Sequence, residues 1–430
     1  MPHALTDLKV RTVTKPAGSV GHDVDADVCI LGAGIAGLSA AVESARLGRR
    51  VVLVDALPVL GGQMVNSLIG LFCGVFGNAP EHHRLTHGIF DDIFRDLEAT
   101  GDLYYRRHHT TVVGYDEVAL GRWVENTVAE LGITVITGAV LAGVTRDDER
   151  IRAVRLGTRY GTVEVTATGF VDASGDASLA WEAGLPCRLP EREIYGSQQL
   201  VVENLDEGQR PDPQDLAARV SEKAEQYGLL RRDGLAFFFP GRGIAVLNMT
   251  HIEAPLDPMG ASRAQLAGKV QADRAVELLR AEYPEVFGKA RVRAYGFPGR
   301  RQTRWVQAVH QLTLEEVRAG TRFPDAVART AWPIELHDSP QGYVWETFGP
   351  DHVHYVPLRS MTPPGVHNLV VAGRCVDGDA AALSSIRVMG PCAAMGAGAA
   401  HALALAGAHG SVHEVDHAEL AGRLSHNLDG

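Results

Sequence analysis

The chain has 430 residues, of which 45% are hydrophobic and 22% charged, and its formal net charge at pH 7 is −11. These values are typical of a folded globular protein of two or three domains, and they exclude general disorder. The acidic excess would repel phosphate backbones, so nucleic acid is not an expected partner. Glycine is enriched, with 47 residues, which indicates many tight turns or close backbone approaches.

The sequence also supports expectations about the cellular location of the protein and the roles of its cysteines. No transmembrane helix is predicted, because no segment of 18 or more residues is apolar throughout. The N-terminus lacks the apolar core and the cleavage site of a secretory signal. The five cysteines are widely spaced and form no C-x-x-C pair, so no disulfide framework, redox dithiol or metal site is predicted. We expect a reduced, cytoplasmic protein.

In chain order, the first predicted elements form a compact βαβ unit: strand 26–31, helix 38–47 and strand 51–54, which closes at Asp55. The elements that follow are helices at about 81–99 and 116–131, strand 133–136, an antiparallel meander at about 140–145, 151–156 and 162–167, a buried strand at 169–176 and a helix at 177–183. The pattern from 190 to 364 is mixed, with strand-like pieces at 237–239 and 244–249, a helix at 262–282 and a charged helical stretch at 206–233. A last buried strand at 368–373 precedes an Ala/Gly-rich helix at about 389–405.

This order predicts an α/β fold in which early and late segments share one domain. We expect an N-terminal extension (1–24), a Rossmann-like domain with a central parallel sheet plus β-meander (25–185 and 365–430), and an inserted mixed α+β substrate domain (186–364).

The strongest motif is the glycine loop of the βαβ unit, Gly32-x-Gly34-x-x-Gly37. Its first glycine permits the turn from strand to helix, its second lets a pyrophosphate approach the backbone, and its third lets the helix pack on the sheet. Asp55 ends the second strand, where a carboxylate can bind ribose hydroxyls. These features together predict dinucleotide binding.

A resemblance narrows the nucleotide to FAD. Residues 25–62, DADVCILGAGIAGLSAAVESARLGRRVVLVDALPVLGG, are similar to the FAD-binding start of glutathione-reductase-like flavoproteins. Segments 169–178 (GFVDASGDAS), 368–375 (NLVVAGRC) and 385–396 (SIRVMGPCAAMG), with 298–304 (PGRRQTR) and 332–337 (WPIELH), resemble the FAD-dependent oxidoreductase family, a relative of the fumarate-reductase and heterodisulfide-reductase flavoproteins. The resemblance implies an FAD-dependent enzyme. No histidine precedes Gly61-Gly62 where covalently flavinylated relatives carry one, so non-covalent FAD is expected.

The same resemblance implies which residues hold FAD. The pyrophosphate would contact the glycine loop and Gly373-Arg374, Asp55 would bind ribose, backbone near Val140 would hold adenine, and Gly175-Asp176 would close over the ribityl and diphosphate region. The helix beginning near Met389 would direct its N-terminus to the pyrimidine edge of the flavin. The full predicted set is Gly32, Gly34, Ile35, Ala36, Gly37, Asp55, Ala56, Gly61, Gly62, Gln63, Val140, Ala173, Gly175, Asp176, Gly373, Arg374, Val388 and Met389.

The reaction is less constrained by the sequence. Only one dinucleotide fingerprint is present, so we expect electrons to pass directly from a small polar substrate to the flavin, which oxygen or another acceptor would reoxidise. Arg304 is predicted to bind an anionic or polar substrate group and His337 to move a proton, with Arg387 as the reserve candidate for either role. A monooxygenase that uses NAD(P)H and oxygen, and a non-catalytic electron-transfer subunit, remain alternatives, and a homo-oligomer remains open.

Overall fold

The computed structural model describes residues 9–14 and 21–429. The elements of its first part are β1 (His22–Leu31), α1 (Ile35–Arg46), β2 (Val51–Asp55), α2 (Gly62–Asn66), β3 (Leu71–Phe72), α3 (Ile89–Ala99), β4 (Leu103–Arg107), β5 (Thr111–Tyr115), α4 (Glu117–Glu130), β6 (Thr134–Thr137), β7 (Val140–Arg146), β8 (Ile151–Thr158), β9 (Gly161–Asp172) and α5 (Ser178–Glu182). Those of the middle part are β10 (Cys187–Arg188), β11 (Leu200–Glu203), α6 (Pro213–Lys223), β12 (Leu235–Phe239), β13 (Ile244–Asn248), α7 (Pro258–Glu282), α8 (Pro284–Phe287), β14 (Arg291–Tyr295), β15 (Trp305–Val306), α9 (Leu314–Ala319), β16 (Ala326–Thr330), β17 (Ile334–Leu336), β18 (Val344–Glu346) and β19 (His354–Pro357). The last are β20 (Leu369–Val371), α10 (Ala380–Ile386), α11 (Met389–Ala406), α12 (His417–Arg423) and α13 (Ser425–Leu428).

A seven-stranded sheet in the order β6-β2-β1-β9-β8-β7 forms the centre of the fold, with β20 beside the C-terminal end of β9. The strands β6, β2, β1, β9 and β20 are parallel, whereas β7, β8 and β9 form an antiparallel meander. Every residue of β2 is buried, as expected for a parallel strand that helices cover on both faces. The predicted fold class, a Rossmann-like parallel sheet plus a meander, is confirmed.

The middle of the chain has a second hydrophobic core. The four-stranded sheet β12-β13-β11-β14 packs with α6 and α7 around buried residues that lie between Leu200 and Ala290. Apolar residues from Trp305 to Val356 belong instead to the core of the first sheet. The predicted domain boundaries at 25, 186 and 365 stay a prediction.

Two local expectations need correction. The helix predicted at 81–99 begins only at Ile89: Gly88 has a φ of +72°, and residues 81–87 form turns and a bridge between Phe76 and Arg84. The first strand begins at His22, because four more residues pair with β9.

Among the described residues, one helix, Met389–Ala406, is long and apolar enough to span a membrane; 78% of it is buried inside the fold, as in a core helix.

Candidate active site

The three glycines of the loop between β1 and α1 have different surroundings. A Cβ on Gly32 would lie 2.2 Å from the carbonyl oxygen of Ala173, and one on Gly37 would lie 1.8 Å from that of Gly32. Both positions therefore exclude any side chain. A Cβ on Gly34 would meet nothing within 4 Å. Gly34 is also the N-cap of α1, where no side chain accepts a hydrogen bond from the first N–H groups of this helix.

Asp55 lies beside this loop at the end of β2. Its carboxylate accepts hydrogen bonds from the backbone N–H groups of Ala33 (2.6 Å) and Leu57 (2.8 Å), and burial raises its pKa. The backbone carbonyl of Asp55 accepts a bond from Ala139, which places the start of β7 at Val140 next to it. Ala56 is exposed beyond the strand. The residues predicted to meet ribose and adenine are thus neighbours.

The first turn of α1 packs against α11 two turns in from its N-terminus. A Cβ on Gly396 would lie 2.1 Å from the carbonyl oxygen of Ala36, and one on Gly373 would lie 3.1 Å from the Cβ of Ala36. The N-cap of α11 is Val388, which offers no side-chain hydrogen bond. Of the first N–H groups of α11, that of Gly390 donates to the carbonyl of Cys73. Gly373 lies between the first turns of the two helices, because a Cβ there would also be 3.9 Å from Sγ of Cys392, the fourth residue of α11.

Arg374 and Asp176 form an ion pair at the same edge. The guanidinium donates to Asp176 at 2.7 Å and to the Thr303 hydroxyl at 2.8 Å, and that hydroxyl donates to Asp176 at 2.5 Å. Burial opposes ionisation of Asp176, but the charge of Arg374 and these bonds hold its pKa below the ordinary value. Arg374 also lies against Gly175, where a Cβ would be 2.7 Å from its Nε.

Gln63 joins the first part of the chain to the middle part. Its amide nitrogen donates to the carbonyl of Arg300, and its amide oxygen accepts from the N–H of the same residue. The helix that begins at Gly61-Gly62 is therefore fastened to the loop 298–304.

These features fit the expected FAD. The free space at Gly34 and the uncapped helix N-termini suit a pyrophosphate and the pyrimidine edge of a flavin. Asp55 and Arg374 would hold the ribose and phosphate groups. The chemistry that FAD supplies is two-electron acceptance.

A buried chain of polar groups lies next to α11. His337 Nε2 is 2.9 Å from a carboxylate oxygen of Glu335, His337 Nδ1 is 2.9 Å from His251 Nε2, and His251 Nδ1 is 2.9 Å from the carbonyl oxygen of Pro340. The side chain of His337 is 1% exposed and that of Glu335 is 20% exposed. Glu335 is thus the member of this chain that reaches accessible space.

The ionisation of this chain is set by burial and by nearby arginines. Burial lowers the pKa of His251 to about 3 and that of His337 well below its ordinary value. Burial alone would raise the pKa of Glu335, but the hydrogen bond from His337 and the charges of Arg387 and Arg301 outweigh it and lower this pKa. These surroundings favour the ionised form of the carboxylate and disfavour the charged form of both imidazoles.

Arg387 links the chain to α11. It directly precedes the N-cap of that helix, and its guanidinium donates to the backbone carbonyl of Glu335 at 3.0 Å. The indole of Trp332 donates to the second oxygen of the Glu335 carboxylate at 3.1 Å. Tyr343 stacks on His337 with ring centroids 4.5 Å apart. Of the three predicted catalytic residues, the structure brings His337 and Arg387 together.

Arg304 lies elsewhere. Its guanidinium stands over the ring of Trp181, 4.4 Å from the centroid, and donates to the backbone carbonyl of Asp176. Arg301, three residues earlier in the same loop, lies close enough to Glu335 to affect its pKa. Sequence reasoning chose Arg304 over Arg301 from the same arginine-rich loop, and it missed Glu335 and His251. The segment 332–337 contained Glu335 and the loop 298–304 contained Arg301, whereas nothing local distinguished His251.

The chain is similar to several known proteins. A KsdD-like steroid dehydrogenase from Mycolicibacterium smegmatis is 48% identical over 63 residues, which cover 14% of this chain and 11% of that protein. The structure of a geranylgeranyl bacteriochlorophyll reductase-like protein from Thermoplasma acidophilum (16% identity, 89% of this chain and 78% of that one) has a TM-score of 0.49. The structure of the flavin-dependent brominase Bmp2 is 12% identical, and the match covers 94% of this chain and 83% of the brominase, with a TM-score of 0.48. The model of the FAD dependent oxidoreductase family matches residues 27–424, so the chain belongs to this family of FAD-containing oxidoreductase enzymes.

Proposed function

We propose that this protein is a dehydrogenase or oxidase of a small polar metabolite, within the glutathione-reductase-like superfamily. The observation that carries the proposal is the hydrogen-bonded chain Glu335–His337–His251, which adjoins the N-terminus of α11. Removal of a hydride from an alcohol or amine also requires a proton acceptor, and this chain provides one. The short match to a protein named as a steroid dehydrogenase agrees with the reaction class.

The hydrogen positions follow from the fixed acceptor at one end. The carbonyl of Pro340 can only accept, so Nδ1 of His251 carries a hydrogen and Nε2 of the neutral ring accepts from Nδ1 of His337. The 2.9 Å contact between Nε2 of His337 and the Glu335 carboxylate is then a hydrogen bond only when one further proton lies between them, on the imidazole or on the carboxylate. The chain therefore has a place for a single exchangeable proton.

The proposed reaction is balanced with these groups. The substrate would lose a C–H hydrogen with its electron pair and an O–H or N–H proton, and the product would gain a C=O or C=N bond. FAD, held by the glycine loop, Asp55 and Arg374, would supply the two-electron acceptance, and oxygen or another acceptor would take these electrons in turn. Glu335 would accept the proton. Glu335 is the proposed catalytic residue because it is the exposed member, and His337 and His251 are positioning residues that hold the proton.

The test begins with anaerobic screening of a metabolite library for bleaching of the bound flavin. With a substrate in hand, Glu335→Gln is expected to keep FAD and to lower kcat by about 10²–10⁴-fold. Glu346→Gln is the matched control, since it removes a carboxylate from the paired strand β18 that contacts Arg318 instead. His251→Gln is expected to shift the pH profile of kcat, which a purely structural role would not do. Equal kcat for Glu335→Gln and the control would overturn the proposal.

The alternatives predict different results. A monooxygenase would show rapid anaerobic bleaching of its flavin by NADH or NADPH. An electron-transfer subunit would show no turnover of any metabolite by the purified chain alone.

A further inference from the structure

Two guanidiniums beside Glu335 make hydrogen bonds to neutral groups only. Arg301 donates to the carbonyl of Tyr195 at 2.7 Å and to the hydroxyl of Ser197 at 3.0 Å. Arg387 donates to the backbone carbonyl of Glu335, and its Nε is buried without a partner among the described residues. Within those residues neither forms an ion pair with a carboxylate, since the contact of Arg387 with Glu335 is to the backbone.

The neighbouring charges leave an excess of one positive charge. Arg231 is the third guanidinium of the cluster, and it is paired with Asp233 through two bonds of 2.7 Å. Against the charges of Arg301 and Arg387 stands the single carboxylate of Glu335, and burial disfavours the charged form of both histidines. Burial lowers the pKa of Arg301 to about 9, which leaves it protonated at neutral pH.

A buried positive charge is unfavourable in a protein interior unless an anion binds beside it and neutralises it. Both arginine side chains are only half-buried, so a small molecule can reach them. A planar guanidinium suits a carboxylate, which it binds through two parallel hydrogen bonds. The charge of Glu335 limits the site to a single negative charge, so a dianionic phosphate is disfavoured.

We propose that Arg301 and Arg387 bind a carboxylate group of the substrate, which places a carboxylic acid metabolite next to Glu335. The identification of the bound carboxylate as part of the substrate rests on the proposed function. The binding of an anion to these arginines can be measured without turnover.

The experiment is a titration of the FAD-loaded enzyme with acetate and benzoate, followed by the flavin absorbance spectrum and by the unfolding temperature. Saturable binding is expected, with phosphate at least tenfold weaker. Arg301→Gln and Arg387→Gln are each expected to weaken benzoate binding by at least tenfold. Arg232→Gln, which removes an exposed neighbouring charge, is the matched control and is expected to bind as the wild type does. If a glutamine variant loses FAD, the lysine variant at the same position (Arg301→Lys or Arg387→Lys) is measured instead. A lysine cannot form two parallel hydrogen bonds to a carboxylate, so the affinity for benzoate is expected to fall at least threefold.

Carboxylate binding that is absent in the wild type, or equal in all variants, would overturn the inference. If a metabolite is oxidised but neither acetate nor benzoate binds or inhibits, the anion site fails and the proposed function stands. If anions bind at Arg301 and Arg387 but no metabolite is oxidised, the proposed function fails. Once a substrate is known, its methyl ester is expected to be turned over at least tenfold less efficiently. Equal turnover of the ester would show that a free anion, not the substrate, occupies the site, and would refute the substrate assignment.

Discussion

Replacement of Gly34 by valine separates cofactor binding from folding. The backbone there has a φ of −74°, which any residue adopts, and a Cβ would meet no atom within 4 Å. The loss at the helix N-cap costs about 1 kcal/mol, so the unfolding temperature of the apoprotein is expected to fall by only about 2–4 °C. The side chain would fill the space through which a pyrophosphate reaches the helix N-terminus.

The expected loss of FAD affinity follows from the contacts removed. One charge-assisted hydrogen bond and part of the helix-dipole interaction amount to about 2–4 kcal/mol, which raises the Kd for FAD about 30- to 1000-fold. The assay is titration of the apoprotein with FAD by fluorescence quenching. Gly37→Ala is the contrasting variant: its Cβ would lie 1.8 Å from a backbone oxygen, so the apoprotein itself is expected to lose stability. Normal FAD affinity in Gly34→Val would refute the assignment of the loop to the pyrophosphate.

Other predictions address the cofactor, the substrate loop and pH. Heat or acid denaturation of the yellow protein is expected to release FAD, and flavin that stays attached to the chain, or FMN in the supernatant, would contradict non-covalent FAD. NADH and NADPH at micromolar concentration are expected to reduce the bound flavin slowly or not at all in an anaerobic stopped-flow measurement. Arg304→Ala is expected to leave benzoate binding unchanged, because this side chain stacks on Trp181; a tenfold loss would restore it as the substrate-binding arginine. Burial lowers the pKa of His354 to about 3 in the folded state, so the unfolded chain binds more protons below pH 6.5 and stability is expected to fall with acid, by up to about 1.4 kcal/mol per pH unit per histidine. Urea unfolding between pH 7 and 5 measures this slope, and an unchanged slope in His354→Gln would contradict its cause.

The Rossmann-like part of the molecule could be predicted from the sequence because the motifs that define it are local. The glycines of the loop act within a few residues, and the buried run of β2 is apolar enough to indicate a parallel strand. The helix predicted from residue 81 failed because the apolar periodicity of α3 was extended backwards through Gly88, whose positive φ ends any helix.

The polar cluster could not be predicted in the same way. His251 and His337 are separated by 86 residues and meet only because the middle part folds back on itself. Arg301 and Arg304 have the same chemistry in the same loop, and only the backbone path decides that Arg301 bonds to Tyr195 while Arg304 reaches Trp181. The chain brings such groups together through long-range packing, which local patterns do not record.

The contact between Ala36 and Gly396 has a consequence for biosynthesis. The glycine loop leaves the ribosome early, but the helix that packs against α1 is made some 350 residues later, as the last strand and helices emerge. Until then the apolar face of α1 lacks its cover and the cofactor pocket lacks one wall. We therefore expect the nascent polypeptide to bind FAD only at the final stage of folding, after the C-terminal segment has closed the sheet.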